Sequence, residues 1–226
     1  MSDTGGSTET WLELGMNVVA PTAVLLLLSG ADRLGPSAAL VLALAFPVAH
    51  GLRALARSET ISPFTVLALI SVGLTGGIGL LELDVAWFAW KEAALPSVMG
   101  VLALWTARGD RPAMTMLLER LVDGDKTEAA LDTEEKQAAW IRHSARATLG
   151  LGAMYLASGV ASFALARWLV TSPTGTEGFN VELGQMTAAS FPAIGVPTMI
   201  GTAVILFLFN AGLKRDVGVQ IDDLLR

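Results

Sequence analysis

The sequence predicts an all-α, polytopic membrane protein with six transmembrane helices and both termini in the cytoplasm, and three observations lead there. Hydrophobic residues make up 53% of the 226 and charged residues 16%, on opposite sides of the composition of soluble domains. The apolar residues gather in stretches near the ~20 residues that a helix needs to cross a ~30 Å hydrocarbon core. Lys and Arg collect on one side of those stretches, as cytoplasmic loops require.

The expected spans cover about 11–29, 36–54, 62–81, 85–106, 145–170 and 190–213, in one membrane domain over 1–226. The N-terminus, MSDTGGSTETWLELG, is acidic and lacks the basic region of a signal peptide, so the first stretch is expected to stay as a span. Arg53 and Arg57 follow span 2. Arg108, Arg111, Arg120, Lys126, Lys136, Arg142 and Arg146 surround the 107–144 segment, and Lys214, Arg215 and Arg226 close the chain. These are twelve of the fifteen basic residues, which makes their side cytoplasmic.

The 107–144 segment is the only long polar one and is expected to be a cytoplasmic loop. Asp110 suits a helix cap and Pro112 a first helical turn. Met114, Leu117, Leu118, Leu121 and Val122 then repeat at helical spacing, which predicts an amphipathic helix over about 111–122 lying in the interface or against the bundle. The acidic run from Asp123 to Glu135 reads as a solvated face that begins a helix leading into span 5.

Several functions are excluded or disfavoured. The chain has no cysteine, which removes disulfides, thiolate metal sites and cysteine nucleophiles. His50 and His143 are too few for a histidine metal site, and the net charge of −6 argues against nucleic acid. No phosphate loop, dinucleotide fingerprint or nucleophile–base constellation occurs, so the expectation is no enzyme, no cofactor and no metal.

The residues left to carry chemistry sit in DVAWFAWKEAALPSVMGVLALW. Lys91 and Glu92 occupy adjacent helical positions about 100° apart, a spacing that predicts separate partners. A charge at mid-membrane costs about 2.5–3.5 kcal/mol, which makes the pair a candidate site. Lys91 enters only about two turns below the outer surface, where a lysine stem reaches the headgroups. Glu82, Asp84, Glu182 and Arg167 are expected at the same level. A structural ion-pair cluster and a site for an ion or anionic solute are both open. A solute site predicts a cavity reaching Lys91 or Glu92 between spans 3, 4 and 6, whereas a scaffold predicts direct ion pairs.

Backbone features complete the candidates. Gly73, Gly76, Gly77 and Gly79 crowd the outer half of span 3, and the Gly73–Gly77 spacing suits close helix packing or a locally opened helix. Thr75 can return its hydroxyl to the backbone. Pro47, Pro96, Pro192 and Pro197 interrupt the spans that run inward and are candidate kinks or hinges. Asn17, His50, Ser158, Ser162 and Asn210 are expected to hydrogen-bond between helices.

TGGIGLLELDVAWFAWKEAALPSVMGVLAL followed by RPAMTMLLER resembles the central signature of intracellular septation protein A and its relatives, small bacterial inner-membrane proteins. Gly76, Gly77, Phe88, Lys91, Gly100, Pro112, Met116 and Leu117 occupy the signature places. The chain has no asparagine early in the fifth span and carries an added EGFNVELGQMTAASFP segment, as a divergent subfamily would. The resemblance implies a non-enzymatic inner-membrane protein that maintains the cell envelope through partner proteins of elongation and division or through lipid. A homo-oligomer is open.

Overall fold

Helix starts follow the capping signals in the chain. The structure, a computed structural model, describes residues 19–57, 63–109, 111–119 and 121–225. Helix α1 (Ala20–Leu28) has Pro21 in its first turn, where a missing N–H costs nothing. Gly35, at φ 77°, closes the turn after it, and its N–H donates to the Gly30 carbonyl at 3.1 Å. Helix α2 spans Pro36–Arg57 with Pro47 inside it, and α3 spans Pro63–Leu80. Helix α4 (Ala86–Thr106) begins where the Ala86 N–H donates to the Asp84 carboxylate at 2.7 Å, and Pro96 lies inside it. Both prolines are accommodated within continuous helices.

The polar segment that follows folds into two short helices, α5 (Ala113–Leu118) and α6 (Gly124–Ala130). The α6 cap is Asp123, whose side chain accepts from the N–H groups of Asp125 and Lys126. Helix α7 (Glu134–Leu169) carries acids in its first turn and Arg167 in its last, matching the helix dipole at both ends. Helix α8 (Glu177–Ser190) is capped by Thr176, and the π-helical turn Phe191–Gly195 joins it to α9 (Val196–Asp216). Pro192 and Pro197 lie in and just after that turn, where missing N–H donors favour a widened ladder. A last turn of helix, α10, covers Ile221–Leu224. Among the described residues there is no strand, only an isolated bridge between Val122 and Leu225.

Two boundaries differ from the sequence reading, whereas α7 starts at Glu134, within the acidic run expected to begin a helix leading into span 5. The stretch before 190, expected as an outer loop, is helical from Glu177, with Phe179, Leu183 and Met186 spaced to face a core. The amphipathic helix is confined to Ala113–Leu118. The first part of span 1, with Asn17, together with Asp110, Arg120 and the His50 side chain, lies outside the described residues.

Two helical stretches are long and apolar enough to cross a membrane, Glu134–Leu169 and Glu177–Asp216. Shorter apolar helices cover Pro36–Ala49 and Ile70–Leu80. Large apolar side chains face outward along much of the chain: Trp105, Val160, Trp168 and Phe207 are each at least 70% exposed. Such a surface is what lipid, rather than water, accommodates.

The chain divides into two compact units, the first running to Glu92 and resuming at Ser162–Ala193, the second comprising Ala93–Ala161 and Ile194–Arg226. In the first unit, Leu25, Leu40, Ile78, Phe88, Phe179 and Leu183 form a core in which the rings of Phe88 and Phe179 meet edge to face, 6.2 Å apart. Asn180 is 1% exposed. Its amide donates to the Ser29 hydroxyl at 3.1 Å and the Pro36 carbonyl at 2.6 Å, tying α8 to the turn between α1 and α2.

The glycines of α3 sort differently from their spacing. A Cβ on Gly76 would lie 2.8 Å from Leu44, and one on Gly79 2.5 Å from Leu40, whereas Gly73 and Gly77 face open space. Among the described residues the Gly73–Gly77 pair is therefore not a packing face. The two glycines that touch are three apart, on the side turned to α2.

In the second unit α4 and α7 approach to backbone contact. A Cβ on Gly100 would sit 2.9 Å from the Gly152 carbonyl, and one on Gly152 3.1 Å from the Gly100 carbonyl. Ser158 and Thr198 share a hydrogen bond of 2.8 Å between α7 and α9. A second core gathers Met114, Leu118, Trp140, Phe209, Leu213 and Leu224. Met114 and Leu118 turn inward while Met116, Leu117 and Leu121 stay exposed, so only part of the expected apolar face is used within the chain. The Asn210 side chain accepts from the Ile221 N–H at 2.9 Å and the Asp123 N–H donates to the Leu224 carbonyl at 2.8 Å, which docks the C-terminal turn.

These contacts predict opposite outcomes for one substitution at two glycines. Gly100→Ala lowers the thermal unfolding midpoint, since overpacking costs about 1–3 kcal/mol. Gly77→Ala raises it, since alanine is favoured over glycine by about 1 kcal/mol in a helix interior. A midpoint raised by Gly100→Ala would contradict the close crossing.

Candidate functional site

Lys91 and Glu92 lie in the second turn of α4, where the preceding Asp84 cap fixes the rotation of the helix. That rotation buries Phe88 and turns Lys91 toward α3. The lysine side chain is 10% exposed and the glutamate 29%, so the ammonium requires partners. It has three: the Glu92 carboxylate at 2.5 Å, the Thr75 hydroxyl at 2.7 Å and the face of the Phe88 ring, with 5.0 Å to the centroid. Thr75 accepts from the lysine while donating to the Ser71 carbonyl at 3.0 Å, the backbone return expected of it.

The pairing corrects one expectation. Adjacent helical positions point apart at the backbone, yet the four-carbon lysine stem bends far enough to bring Nζ onto its neighbour's carboxylate. The other charged candidates do not assemble around it. Glu82 is exposed and takes a left-handed conformation, φ 52°, in the turn that ends α3. Asp84 caps α4. Glu182 accepts from the N–H groups of Thr171 and Ser172, each at 2.7 Å, and closes the turn after α7. Arg167 is exposed and makes no ion pair among the described residues. An ion-pair cluster at this level thus reduces to one pair with a hydroxyl and an aromatic face.

That pair lines a cavity of about 310 Å³. Its wall comes from five helices of the first unit: Pro21 of α1, Pro47 of α2, Ser71 and Thr75 of α3, Lys91 and Glu92 of α4, and Thr187 with Ser190 of α8. The wall expected from span 6 is supplied by α8. Pro47 meets the cavity, whereas Pro96 and Pro197 belong to the second unit. Thr187 and Ser190 each return their hydroxyl to a carbonyl four residues back, at 2.9 and 2.7 Å, leaving oxygen lone pairs as acceptors. The cavity therefore offers one cation, one anion and several hydroxyls within apolar surroundings.

Three contributors, Asn180, Thr187 and Ser190, escaped the sequence reading. Asn180 holds α8 in place, and its signal was an asparagine beside Phe179 on the same apolar repeat as Leu183 and Met186. Thr187 and Ser190 continue that repeat one position round the helix. Among the described residues no group of three or more His, Asp or Glu side chains could hold a metal ion.

Removing one member of the pair strands the other. Lys91→Met should lower stability by about 1–3 kcal/mol, the cost of leaving a largely buried polar group without its partner. The double substitution with Glu92→Gln should recover part of that loss. Thermal unfolding of the two single variants and the double variant measures the coupling, and strictly additive effects would contradict a direct pair.

No family model matches the chain, and neither a curated protein nor a solved structure is similar to it.

Proposed function

We propose that this chain is a six-span protein of the bacterial inner membrane, with both termini cytoplasmic, and that it acts as a small transporter or channel for an ion or small charged solute. The observation that carries the proposal is a half-buried Lys91–Glu92 pair opening onto a hydroxyl-lined cavity among five helices. An ionisable residue inside a membrane segment is costly and marks a pathway more often than a packing contact. At about 310 Å³ the cavity is at the small end of ligand sites, which favours a solute of few atoms. An anion would engage the Lys91 ammonium, and a cation or proton the Glu92 carboxylate. The multi-pass reading is supported by two long apolar helices, two shorter ones and outward-facing apolar side chains.

A second reading, envelope maintenance through partner proteins of the division machinery, rests on the resemblance to septation protein A. It is favoured by the position of the signature residues: Gly76 and Phe88 pack in the first-unit core and Lys91 lines its cavity. In this reading the pair is structural and the function lies on the protein's surface, in contact with partners, lipid or a second copy.

A flux assay separates the two. Purified protein in vesicles is tested against a panel of ions and small anions, with Lys91→Met in parallel. The transport reading expects flux of at least one solute, reduced tenfold or more by the substitution. Absence of flux for every solute would overturn it in favour of the envelope reading.

A further inference from the structure

The second unit carries a groove of about 550 Å³ between α7 and α9, separate in composition from the Lys91 cavity. Its floor includes Gly150 and Gly212, where a Cβ would lie 3.3 Å from Ile205 and 2.5 Å from His143, and its walls are apolar, with Ile205, Leu208 and Phe209. Leu208 is 61% exposed. Arg146 and Arg215 also line the groove. Arg146 is exposed and makes no ion pair among the described residues, so its charge is uncompensated. Arg215 and Arg142 both bond the single carboxylate of Asp216, at 2.8 and 3.4 Å, and His143 bonds it at 2.8 Å. Two guanidinium groups thus share one acid while the third, on Arg146, has none among the described residues, and the balance is cationic.

We propose that this groove binds an anionic phospholipid, with an acyl chain on Ile205 and Leu208 and the phosphate on Arg146 and Arg215. The inference rests on the membrane-spanning reading of α7 and α9, though not on transport. Charge complementarity selects the headgroup. The apolar wall selects a ligand with a hydrocarbon chain, since a free phosphate would leave that wall unused. Arg146 lies where the apolar part of α7 begins and Arg215 at the end of α9, which is headgroup depth for helices of this length. A cation near a membrane surface contributes about 1 kcal/mol to anionic-lipid attraction, or roughly fivefold in affinity.

Native mass spectrometry of the detergent-solubilised full chain tests the proposal with phosphatidylglycerol, phosphatidylcholine and glycerol 1-phosphate as probes. The expected result is retention of at least one phosphatidylglycerol in preference to phosphatidylcholine, with no retention of glycerol 1-phosphate. Arg146→Gln should lower the preference about fivefold and Arg146→Lys should keep most of it. Lys136→Gln, away from the groove, should leave it unchanged. Equal retention of the two lipids, or a preference undiminished by Arg146→Gln with Arg215→Gln, would overturn the site alone. Retention of glycerol 1-phosphate as tight as the lipid would reassign it to a free phosphate. Failure to retain any lipid would count against the membrane reading as well.

Discussion

The constraint on which the first unit depends is the charge of Lys91 among apolar helices. An ammonium removed from water has to be neutralised and hydrogen-bonded, or the lysine must leave. Glu92 supplies the countercharge from the same turn, Thr75 a hydroxyl from α3, and Phe88 an aromatic face. With the rotation of α4 fixed by its Asp84 cap, meeting that demand holds α4 against α3 through Thr75 and leaves a polar patch that aliphatic side chains cannot fill. The cavity is the geometric consequence: five helices converge on a pair whose far side still faces space.

Asn180 plays the complementary role at the other wall. Among the described residues it is the largest polar side chain buried with so little exposure, and its amide reaches both Ser29 and Pro36. By fastening α8 to the turn between α1 and α2, it sets where Thr187 and Ser190 stand, about two and three turns further along the helix. The hydroxyls of the cavity are thus positioned by a hydrogen bond outside it. The second unit is built on another principle, backbone contact at Gly100 and Gly152, where the absence of side chains does the packing.

Much of this was legible in the chain. Composition and the length of the apolar runs pointed to an all-helical protein, and a lysine and glutamate in one such run pointed to the candidate site. The backbone return of Thr75 followed from its place in a helix. Spacing alone could not tell which glycines of α3 touch a neighbour, because a one-dimensional repeat does not say which face α2 covers; Gly76 and Gly79 pack while Gly73 and Gly77 do not. Sequence proximity overstated the cluster of charges, since Glu82, Asp84 and Glu182 are occupied in turns and caps that depend on local backbone geometry. Helix α8 was missed because Asn180 and Glu182 lowered the apparent hydropathy of a segment whose apolar residues nonetheless recur at helical spacing.

The central claim is that water and solute reach the Lys91–Glu92 pair through the cavity. The chain has no cysteine, so a single substitution, Thr187→Cys, gives an unambiguous reporter on the cavity wall. Labelling it in intact vesicles with a membrane-impermeant, positively charged thiol reagent is the most direct measurement. The account predicts modification within about a hundredfold of the rate at an exposed position such as Glu82→Cys, slowed when a transported ion is present. A reporter that stays unmodified while Glu82→Cys reacts fully would show a sealed space, and the pair would then be a structural contact.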